Sequence, residues 1–404
     1  MDTYYIKTEC RLCGSKDLSL ALHLNHSPLC DAYIPKPKPQ FFYPLDLLLC
    51  NACNFVQLST VVDPEIIYRD YIYTTTSSLG LSSHFKQYAN EVVNSLDLPH
   101  NSFFVDIGSN DGTLLKYFKE FRHEVLGVEP SLHTAKQATS NGIYTLPDFF
   151  DMRLSRRIVH EYGKADVITI NNLFANVDNL QDFVDAIVHL MGDDGVLIIE
   201  SSYLIDMINN MVFDFIYHEH LSYLSLLPLI QFFETFDLKL IKVENISTKG
   251  GSLRYYWAKN SSKRSIDQSV RIAVNNELKF NLSLDTFNVY QQQINTTKEK
   301  FLETISRYPD QIIAGYGASA TSTTLISHFE LNNVLKYLVD DNPGKIDTFS
   351  PGYHIPVHSP AVLDSEPPDS VVVLAWRFKN AIIPKIKNYN CKIFVPLPDV
   401  HVVN

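Results

Sequence analysis

The stretch that most constrains the fold is FVDIGSNDGTLL, residues 104–115, in which an apolar run meets a glycine-rich turn and then a helical pattern. A strand that turns on glycine into a helix opens many nucleotide-binding α/β folds. Strand and helix patterns continue to alternate up to residue 262. This alternation predicts a parallel, doubly wound sheet with its ligand at the carboxyl ends of the strands.

The turn carries Gly108, Asn110, Asp111 and Gly112, and Asp106 comes just before it. Glycine lets the backbone approach a ligand closely, and the N-terminus of the following helix attracts negative charge. Two carboxylates at this place would repel a pyrophosphate, whereas they suit an ammonium group and a cationic sulfonium. The turn therefore favours S-adenosylmethionine over a dinucleotide as cofactor.

Two further carboxylates extend this candidate cofactor site. Glu129 ends the next predicted strand, at the distance along the chain where a carboxylate accepts hydrogen bonds from ribose hydroxyls. Asp148 follows the third predicted strand and is a candidate partner for the adenine amino group. The alternative is a structural turn whose carboxylates are solvated.

Two Cys-x-x-Cys pairs, CRLC and CNAC, mark the first 53 residues; they contain Cys10, Cys13, Cys50 and Cys53. Each pair presents two thiolates from one tight turn, and four thiolates make a closed tetrahedral zinc site that holds structure together. The stretch between the pairs, residues 14–49, is longer than in most zinc ribbons. Reduced core cysteines are one alternative, and other ligands could also substitute, namely Cys30, His23 and His26.

The length of 404 residues predicts more than one core. We expect a zinc-binding domain over residues 1–75, an α/β domain over residues 76–262, and a second α/β domain over residues 263–404. The second α/β domain begins with long polar helical runs and then repeats the pattern of strand, glycine turn and helix.

The formal net charge of −11 argues against nucleic acid and anionic membranes as partners. Apolar runs stay well short of the roughly 18 residues that span a bilayer, and the opening MDTYYIKTEC lacks a signal-peptide pattern. We therefore expect a cytoplasmic protein whose thiols are kept reduced.

The segment FDFIYHEHLSYLS, residues 213–225, brings Tyr217, His218, Glu219 and His220 together. A histidine beside a carboxylate and a phenol is suited to general acid–base catalysis. A metal site made by the two histidines is one alternative, and an aromatic core loop with a satisfied histidine is another.

Several stretches together resemble the sugar C-methyltransferase family that acts on nucleotide-linked 4-keto-deoxyhexoses, such as the 3-C-methyltransferases of tylosin mycarose and tetronitrose biosynthesis. They cover nearly the whole chain and are the double CxxC start, VDIGSNDGTLL with GVEPS, NNLFANVDNLQDF, YHEHLSYLS, KGGSLR and GYGASA with VDDNPGK. The resemblance implies a class I methyltransferase domain between a zinc domain and a Rossmann-like C-terminal domain. It also implies methylation at C3 of the sugar in branched deoxysugar biosynthesis, by a monomer.

When the roles of the family's residues are carried over by position, the resemblance implies that His220 is the general base. Tyr217 and Glu219 would orient it or hold the substrate. A proton next to a ketone can be removed if the developing enolate is stabilised. Some relatives carry a histidine where this chain has Asn176, and the absence of that rival base favours His220. Tyr71 and Tyr73 are candidates to cap the active site.

The resemblance also implies substrate contacts. In KGGSLR, Gly251 permits close approach and Arg254 would pair with a phosphate; a plain hairpin turn is the alternative. The third domain's turn suits a pyrophosphate through Gly315, Tyr316, Gly317 and Ser319. By resemblance this domain helps to bind the nucleotide-sugar, whereas a second dinucleotide site or a scaffold are the alternatives.

Two other functions compete with methyl transfer. An NAD-dependent nucleotide-sugar oxidoreductase or epimerase would use the C-terminal turn, but the middle domain has no Tyr-x-x-x-Lys dehydrogenase signature. A non-catalytic zinc-ribbon adaptor on a methyltransferase fold would not need Glu129 or the YHEH cluster.

Overall fold

The computed structural model describes residues 3–68, 80–309 and 311–403. The candidate capping residues Tyr71 and Tyr73, and the predicted boundary at residue 75, lie outside the described residues. The N-terminal part contains β1 (Tyr4–Ile6), β2 (Leu18–Ser27), β3 (Tyr43–Cys50), β4 (Val56–Leu58), β5 (Thr60–Val62) and α1 (Pro64–Tyr68).

The middle part alternates strands and helices, as predicted. It contains α2 (Leu81–Leu96), β6 (Phe103–Ile107), α3 (Thr113–Glu120), β7 (Glu124–Val128), α4 (Leu132–Ser140), β8 (Thr145–Leu146), α5 (Met152–Tyr162), β9 (Ala165–Asn171), α6 (Leu180–Leu190), β10 (Met191–Ser202), α7 (Leu204–Asn209), β11 (Ser222–Tyr223), α8 (Leu226–Glu234), β12 (Leu238–Ile246) and β13 (Ser252–Lys259).

The C-terminal part begins with two long helices and continues as a second α/β unit. Its elements are α9 (Gln268–Phe280), α10 (Leu284–Ser306), β14 (Ile313–Tyr316), α11 (Ala320–Phe329), β15 (Tyr337–Val339), β16 (Val357–His358), α12 (Val362–Ser365), β17 (Ser370–Val373), α13 (Lys379–Ile386), β18 (Lys392–Val395) and β19 (His401–Val403).

The central sheet has the order β12-β13-β10-β9-β6-β7-β8. Strands β10, β9, β6, β7 and β8 are parallel, and β13 closes the sheet antiparallel to both β10 and β12. All five residues of β6 are buried, as expected for a central strand with helices on both faces. The topology confirms the predicted class I methyltransferase fold, including its closing hairpin.

The C-terminal sheet has the order β16-β15-β14-β17-β18-β19, with β19 antiparallel at one edge. Numbered along the chain, this is the order 3-2-1-4-5-6 of dinucleotide-binding folds. Its switch point lies between β14 and β17, so that the glycine turn after β14 faces the segment after β17. The Rossmann-like architecture is the one that the sequence predicted.

The N-terminal sheet includes a strand from the middle of the chain. Its order is β11-β4-β3-β2, and β11 pairs with β4 through Ser222 with Gln57 and Tyr223 with Val56. The backbone N–H of Leu58 also donates to the carbonyl oxygen of Leu221 at 2.9 Å. The segment that follows the YHEH cluster is thus part of the cysteine-bearing sheet. No helix in the described part of the chain is long and apolar enough to cross a membrane.

Candidate active site

The glycine turn after β6 requires its glycines. Gly108 and Gly112 have φ values of 78° and 76°, and Asn110 between them has a φ of 50°. A Cβ atom on Gly108 would lie 2.9 Å from Cδ2 of Leu173, and one on Gly112 would lie 3.0 Å from Cβ of Ile143. Side chains at these two positions would meet both backbone strain and close contacts.

The two strand-end carboxylates are buried beside this turn. Asp106 accepts a hydrogen bond of 2.6 Å from Thr169 Oγ1, and burial raises its pKa to about 7. Glu129 accepts from the backbone N–H groups of Asn110 at 3.1 Å and Ser131 at 2.9 Å, and burial raises its pKa above the ordinary value. Both carboxyl groups would be stabilised as anions by a cationic ligand.

Asp111 organises the start of α3. Its Oδ1 atom accepts from the backbone N–H of Thr113 at 3.2 Å and from the Thr113 hydroxyl at 2.6 Å. Asp148 follows β8 at the same edge of the sheet as Glu129, because Val128 pairs with Leu146. An exposed arginine, Arg153, donates to Asp148 at 2.6 Å.

The donor and acceptor set of the turn fits S-adenosylmethionine. Residues 106–113 provide two carboxylates and backbone amides but no basic side chain. A carboxylate has about four acceptor positions, so Glu129 can bind ribose hydroxyls while it keeps its two backbone donors. The two carboxylates within residues 106–113 make the turn poorly suited to a pyrophosphate, which they would repel.

His220 lies in the histidine loop, defined here as residues 213–221. Its Nδ1 atom is 2.9 Å from the backbone carbonyl oxygen of Phe215. A carbonyl can only accept, so this contact assigns the proton to Nδ1 and leaves the lone pair on Nε2. Burial lowers the pKa of His220 to about 4. The imidazole is therefore neutral near pH 7, the state that a general base requires.

A narrow cleft lies beside His220; its walls include Asn172, Ala175, Ser201, Ser202, His220 and Lys249. Asn172 follows β9, and the two serines end β10. Since β6, β9 and β10 are parallel neighbours, the cleft and the glycine turn lie at the same edge of the sheet. Tyr217 packs its ring on His220 with 4.2 Å between centroids.

Lys249 is a cleft residue that the sequence interpretation missed. Its backbone has a φ of 57° in the turn between β12 and β13, and burial lowers its pKa to about 8. The interpretation of KGGSLR selected the glycine and the arginine instead. A cation in the same cleft as the histidine is an obvious partner for a developing negative charge.

The four paired cysteines form one cluster. The Sγ atoms of Cys10 and Cys53 are 3.6 Å apart, as are those of Cys13 and Cys50, and all four lie within 4.8 Å of one another. Four thiolates around a tetrahedral zinc ion at about 2.3 Å would be separated by about 3.8 Å. The donor set and its spacing therefore fit zinc.

Three family models match successive parts of the chain: a zinc binding domain over residues 10–68, a methyltransferase domain over residues 84–243, and a C-methyltransferase C-terminal domain over residues 247–398. A curated relative, the C-methyltransferase NovU of Streptomyces niveus, is 25% identical over 98% of this chain and 97% of its own length. The chain is a methyltransferase and a homologue of C-methyltransferases.

Two solved structures that are similar to this methyltransferase each cover less than half of the chain. Magnesium protoporphyrin IX methyltransferase from Synechocystis PCC 6803 is 12% identical with a TM-score of 0.36, over 45% of this chain and 84% of its own. An S-adenosylmethionine-dependent methyltransferase from Clostridium acetobutylicum is 13% identical with a TM-score of 0.35, over 48% of this chain and 95% of its own.

The structure gives no support to a metal site in the histidine loop of the methyltransferase. His218 is buried, and its Nε2 atom lies 3.1 Å from the carbonyl oxygen of Pro44, whereas His220 bonds to Phe215. Among the described residues, the group of three or more ligands that could hold a metal ion is the cysteine cluster.

Arg254 is a buried structural residue that pairs with carboxylates, whereas the sequence interpretation paired it with a phosphate. The side chain is fully buried, and it donates to Glu200 at 2.8 Å, Glu91 at 2.9 Å and Glu244 at 3.0 Å. Its guanidinium also stacks 3.7 Å from the ring centroid of Tyr88. The burial of the guanidinium group and its three carboxylate partners leave no place for a phosphate beside it.

The remaining predicted substrate residues have internal partners. A Cβ atom on Gly251 would collide with the side chain of Asp206, so this glycine is required by packing. Tyr316 donates to the carboxylate of Asp341 at 3.2 Å. Ser319 is the N-cap of α11, and its hydroxyl accepts from the backbone N–H of Ser322 at 3.3 Å. These internal contacts do not test whether the residues also bind substrate, and that role stays a prediction.

The turn of the C-terminal sheet is also too closely packed for side chains at its glycines. A Cβ atom on Gly315 would lie 2.6 Å from Cδ1 of Leu374, and one on Gly317 would lie 2.5 Å from Cβ of Ala375. The carboxylate of Asp340, at the end of β15, accepts from the backbone N–H of Ala318. Glu129 holds its turn in the same way.

Proposed function

We propose that this methyltransferase transfers a methyl group from S-adenosylmethionine to C3 of a dTDP- or other NDP-linked 4-keto-6-deoxyhexose, in branched deoxysugar biosynthesis. The observation that carries the proposal is the free Nε2 atom of His220 in a cleft that shares its sheet edge with the glycine turn. The sugar class is supported by the sequence resemblance across all three parts of the chain.

The proposed reaction begins with His220. Its Nε2 atom takes the proton from the carbon next to the ketone, the C–H electron pair forms a carbon–carbon double bond, and the ketone oxygen becomes negatively charged. Lys249, as an ammonium ion, donates a hydrogen bond to that oxygen. S-adenosylmethionine supplies, when bound, an electrophilic methyl group on a sulfonium.

The remaining residues have supporting roles in the proposal. Tyr217 holds the imidazole by stacking, and Glu219 contributes a negative charge near Lys249. The enolate carbon bonds to the methyl group as the sulfur–methyl bond breaks, which leaves a neutral thioether and restores the ketone. His220 then releases its proton to solvent. The cofactor is held by Asp106 and Glu129.

The other parts of the chain complete the proposal. The cysteine cluster holds a structural zinc ion, and the turn after β14 binds the nucleotide of the sugar. We propose that the protein acts as a monomer.

The test uses purified full-length protein in deuterium oxide with a dTDP-4-keto-6-deoxyhexose, with and without S-adenosylmethionine, and reads products by mass spectrometry. The proposal expects a product heavier by one methylene group, and deuterium incorporation when the methyl donor is omitted. His220→Ala should abolish both, whereas His160→Ala, an exposed histidine of α5, should abolish neither. Absence of both signals across several 4-keto sugars would contradict the proposal.

One observation favours the alternative of an NAD-dependent enzyme. The C-terminal sheet has the dinucleotide-binding strand order, and Asp340 directly follows its second strand, as a ribose-binding carboxylate would. Titration with NADH, followed by its fluorescence, tests this directly. Saturable binding that a nucleotide-sugar does not displace would support the oxidoreductase, and no binding would exclude it.

A further inference from the structure

The histidine loop is tied at its beginning to the C-terminal sheet. Asp214 is fully buried, and both of its carboxylate oxygens lie 2.9 Å from Nη1 of Arg377. The indole Nε1 of Trp376 donates to the same carboxylate at 3.0 Å. Trp376 and Arg377 belong to a short 3-10 helix after β17. A buried carboxylate is costly without its partner, so this ion pair fixes the position of the loop.

Arg377 also contacts the residue that orients the base. Its guanidinium lies 4.4 Å from the ring centroid of Phe215. The Phe215 ring stacks on the His220 ring at 5.9 Å, with 28° between the planes, and its carbonyl oxygen accepts from His220 Nδ1. Arg377 therefore supports both contacts through which Phe215 holds the imidazole.

Helix α11 holds the next peptide of the loop. The hydroxyl of Thr321 accepts from Nη2 of Arg377 at 3.0 Å. The hydroxyl of Thr324 donates to the carbonyl oxygen of Ile216 at 2.9 Å. The residues on both sides of Phe215 are thus bound to the C-terminal part of the chain, and the carbonyl between them has little freedom to move.

We propose that Asp214 and Arg377 are a positioning pair that fixes the Phe215 carbonyl and thereby the tautomer and orientation of His220. This inference rests on the proposed function, because it concerns the same base. Neither residue touches the reacting atoms; each acts through Phe215. The C-terminal domain is in this view a part of the catalytic geometry as well as a binding domain.

The proposal predicts a change in the chemistry of His220 itself when the pair is weakened. A looser loop admits water to the imidazole, and the pKa of His220 rises from about 4 towards its ordinary value of 6.5. The titratable groups around the imidazole include Tyr217 and Glu219 of its own loop, Tyr223 of β11, and Lys249 of the turn before β13. None of these four residues is changed in the variants below.

The first experiment is nitrogen-15 NMR of histidine-labelled full-length protein without substrate, with His220→Gln to assign the signals. The wild type should show the Nδ1-protonated tautomer and a depressed pKa. Arg377→Lys keeps the charge but loses the planar fork and stack, and should raise the pKa by about one unit or more and mix the tautomers. Arg307→Lys is the matched control, because Arg307 forms an exposed pair with Glu303.

The second experiment measures turnover. Arg377→Lys should lower kcat by roughly 10- to 100-fold, leave KM for S-adenosylmethionine unchanged, and move the acidic limb of the pH profile upwards. Asp214→Asn should give the same pattern and replaces Arg377→Lys if that variant does not fold. Unchanged His220 signals in the folded variants would overturn the inference. If the wild-type protein methylates no keto-sugar, the proposed function is wrong. The NMR experiment uses no substrate, so its result still tests the inference separately.

Discussion

The carboxylate of Glu129 accepts a hydrogen bond of 3.1 Å from the backbone N–H of Asn110, so the end of one strand holds the glycine turn of its neighbour. The same carboxylate is the proposed partner of the ribose hydroxyls. We expect Glu129→Ala to weaken binding of S-adenosylmethionine by roughly 10- to 100-fold, because hydrogen bonds to a charged group contribute about 1.5–3 kcal/mol. Isothermal titration calorimetry measures this, with the exposed Glu120→Ala as control. Equal affinities of the two variants would remove Glu129 from the site.

The pH dependence follows from His220 and Lys249. His220 must be neutral, so activity should appear as the pH rises through about 4. Lys249 must be charged, so activity should disappear as the pH rises through about 8. The profile of kcat/KM for the sugar, taken at saturating methyl donor, should therefore be a bell with a broad plateau. A profile that falls only above pH 10 would show that Lys249 does not act as the cation.

Removing the cation should affect the chemical step. We expect Lys249→Met to lower kcat by roughly 100- to 1,000-fold, the usual effect of losing a donor to a developing oxyanion, and to leave the affinity for S-adenosylmethionine unchanged. The alkaline limb of the pH profile should disappear with it. Steady-state kinetics with Lys263→Met, an exposed lysine, as control would test this. A variant with normal kcat and raised KM for the sugar would instead assign Lys249 to substrate binding.

The cysteine cluster should stabilise the N-terminal sheet through zinc. Elemental analysis should find about one zinc ion per chain, and Cys50→Ser should lose it. We expect the midpoint of thermal unfolding to fall by roughly 10 °C, because a structural zinc site contributes several kcal/mol. Cys391→Ser, a cysteine outside the cluster, should keep both the metal and the midpoint. A wild-type protein without zinc, whose midpoint of thermal unfolding equals that of Cys50→Ser, would contradict the zinc site.

The features that local sequence determines were predictable. The glycine turn, the alternation of strands and helices, and the closing hairpin each depend on short patterns, and the structure has all three. The cysteine cluster was predictable for the same reason, because the spacing within each Cys-x-x-Cys pair fixes two ligands at once.

The features that depend on burial were not predictable. From the sequence alone, Arg254 is expected to be an exposed arginine of a hairpin. In the structure, β13 lies between two strands, and Arg254 is buried among three carboxylates. Lys249 reads as an ordinary surface lysine until the fold places it in the cleft. The contact of Asp214 with Arg377 joins residues 163 positions apart. Such pairs follow from the packing of whole domains and have no local signal in one sequence.

The pairing of Ser222 and Tyr223 with the cysteine-bearing sheet has a consequence for how such proteins diversify. A recombination event that exchanged only the first part of the chain between two homologues would give the incoming sheet an edge strand evolved for a different neighbour. The segment after the proposed base would then start from the wrong register. New specificities should therefore arise more readily by substitution within an intact three-part chain than by shuffling of its modules, and designed chimeras should carry residues 213–225 together with the N-terminal sheet.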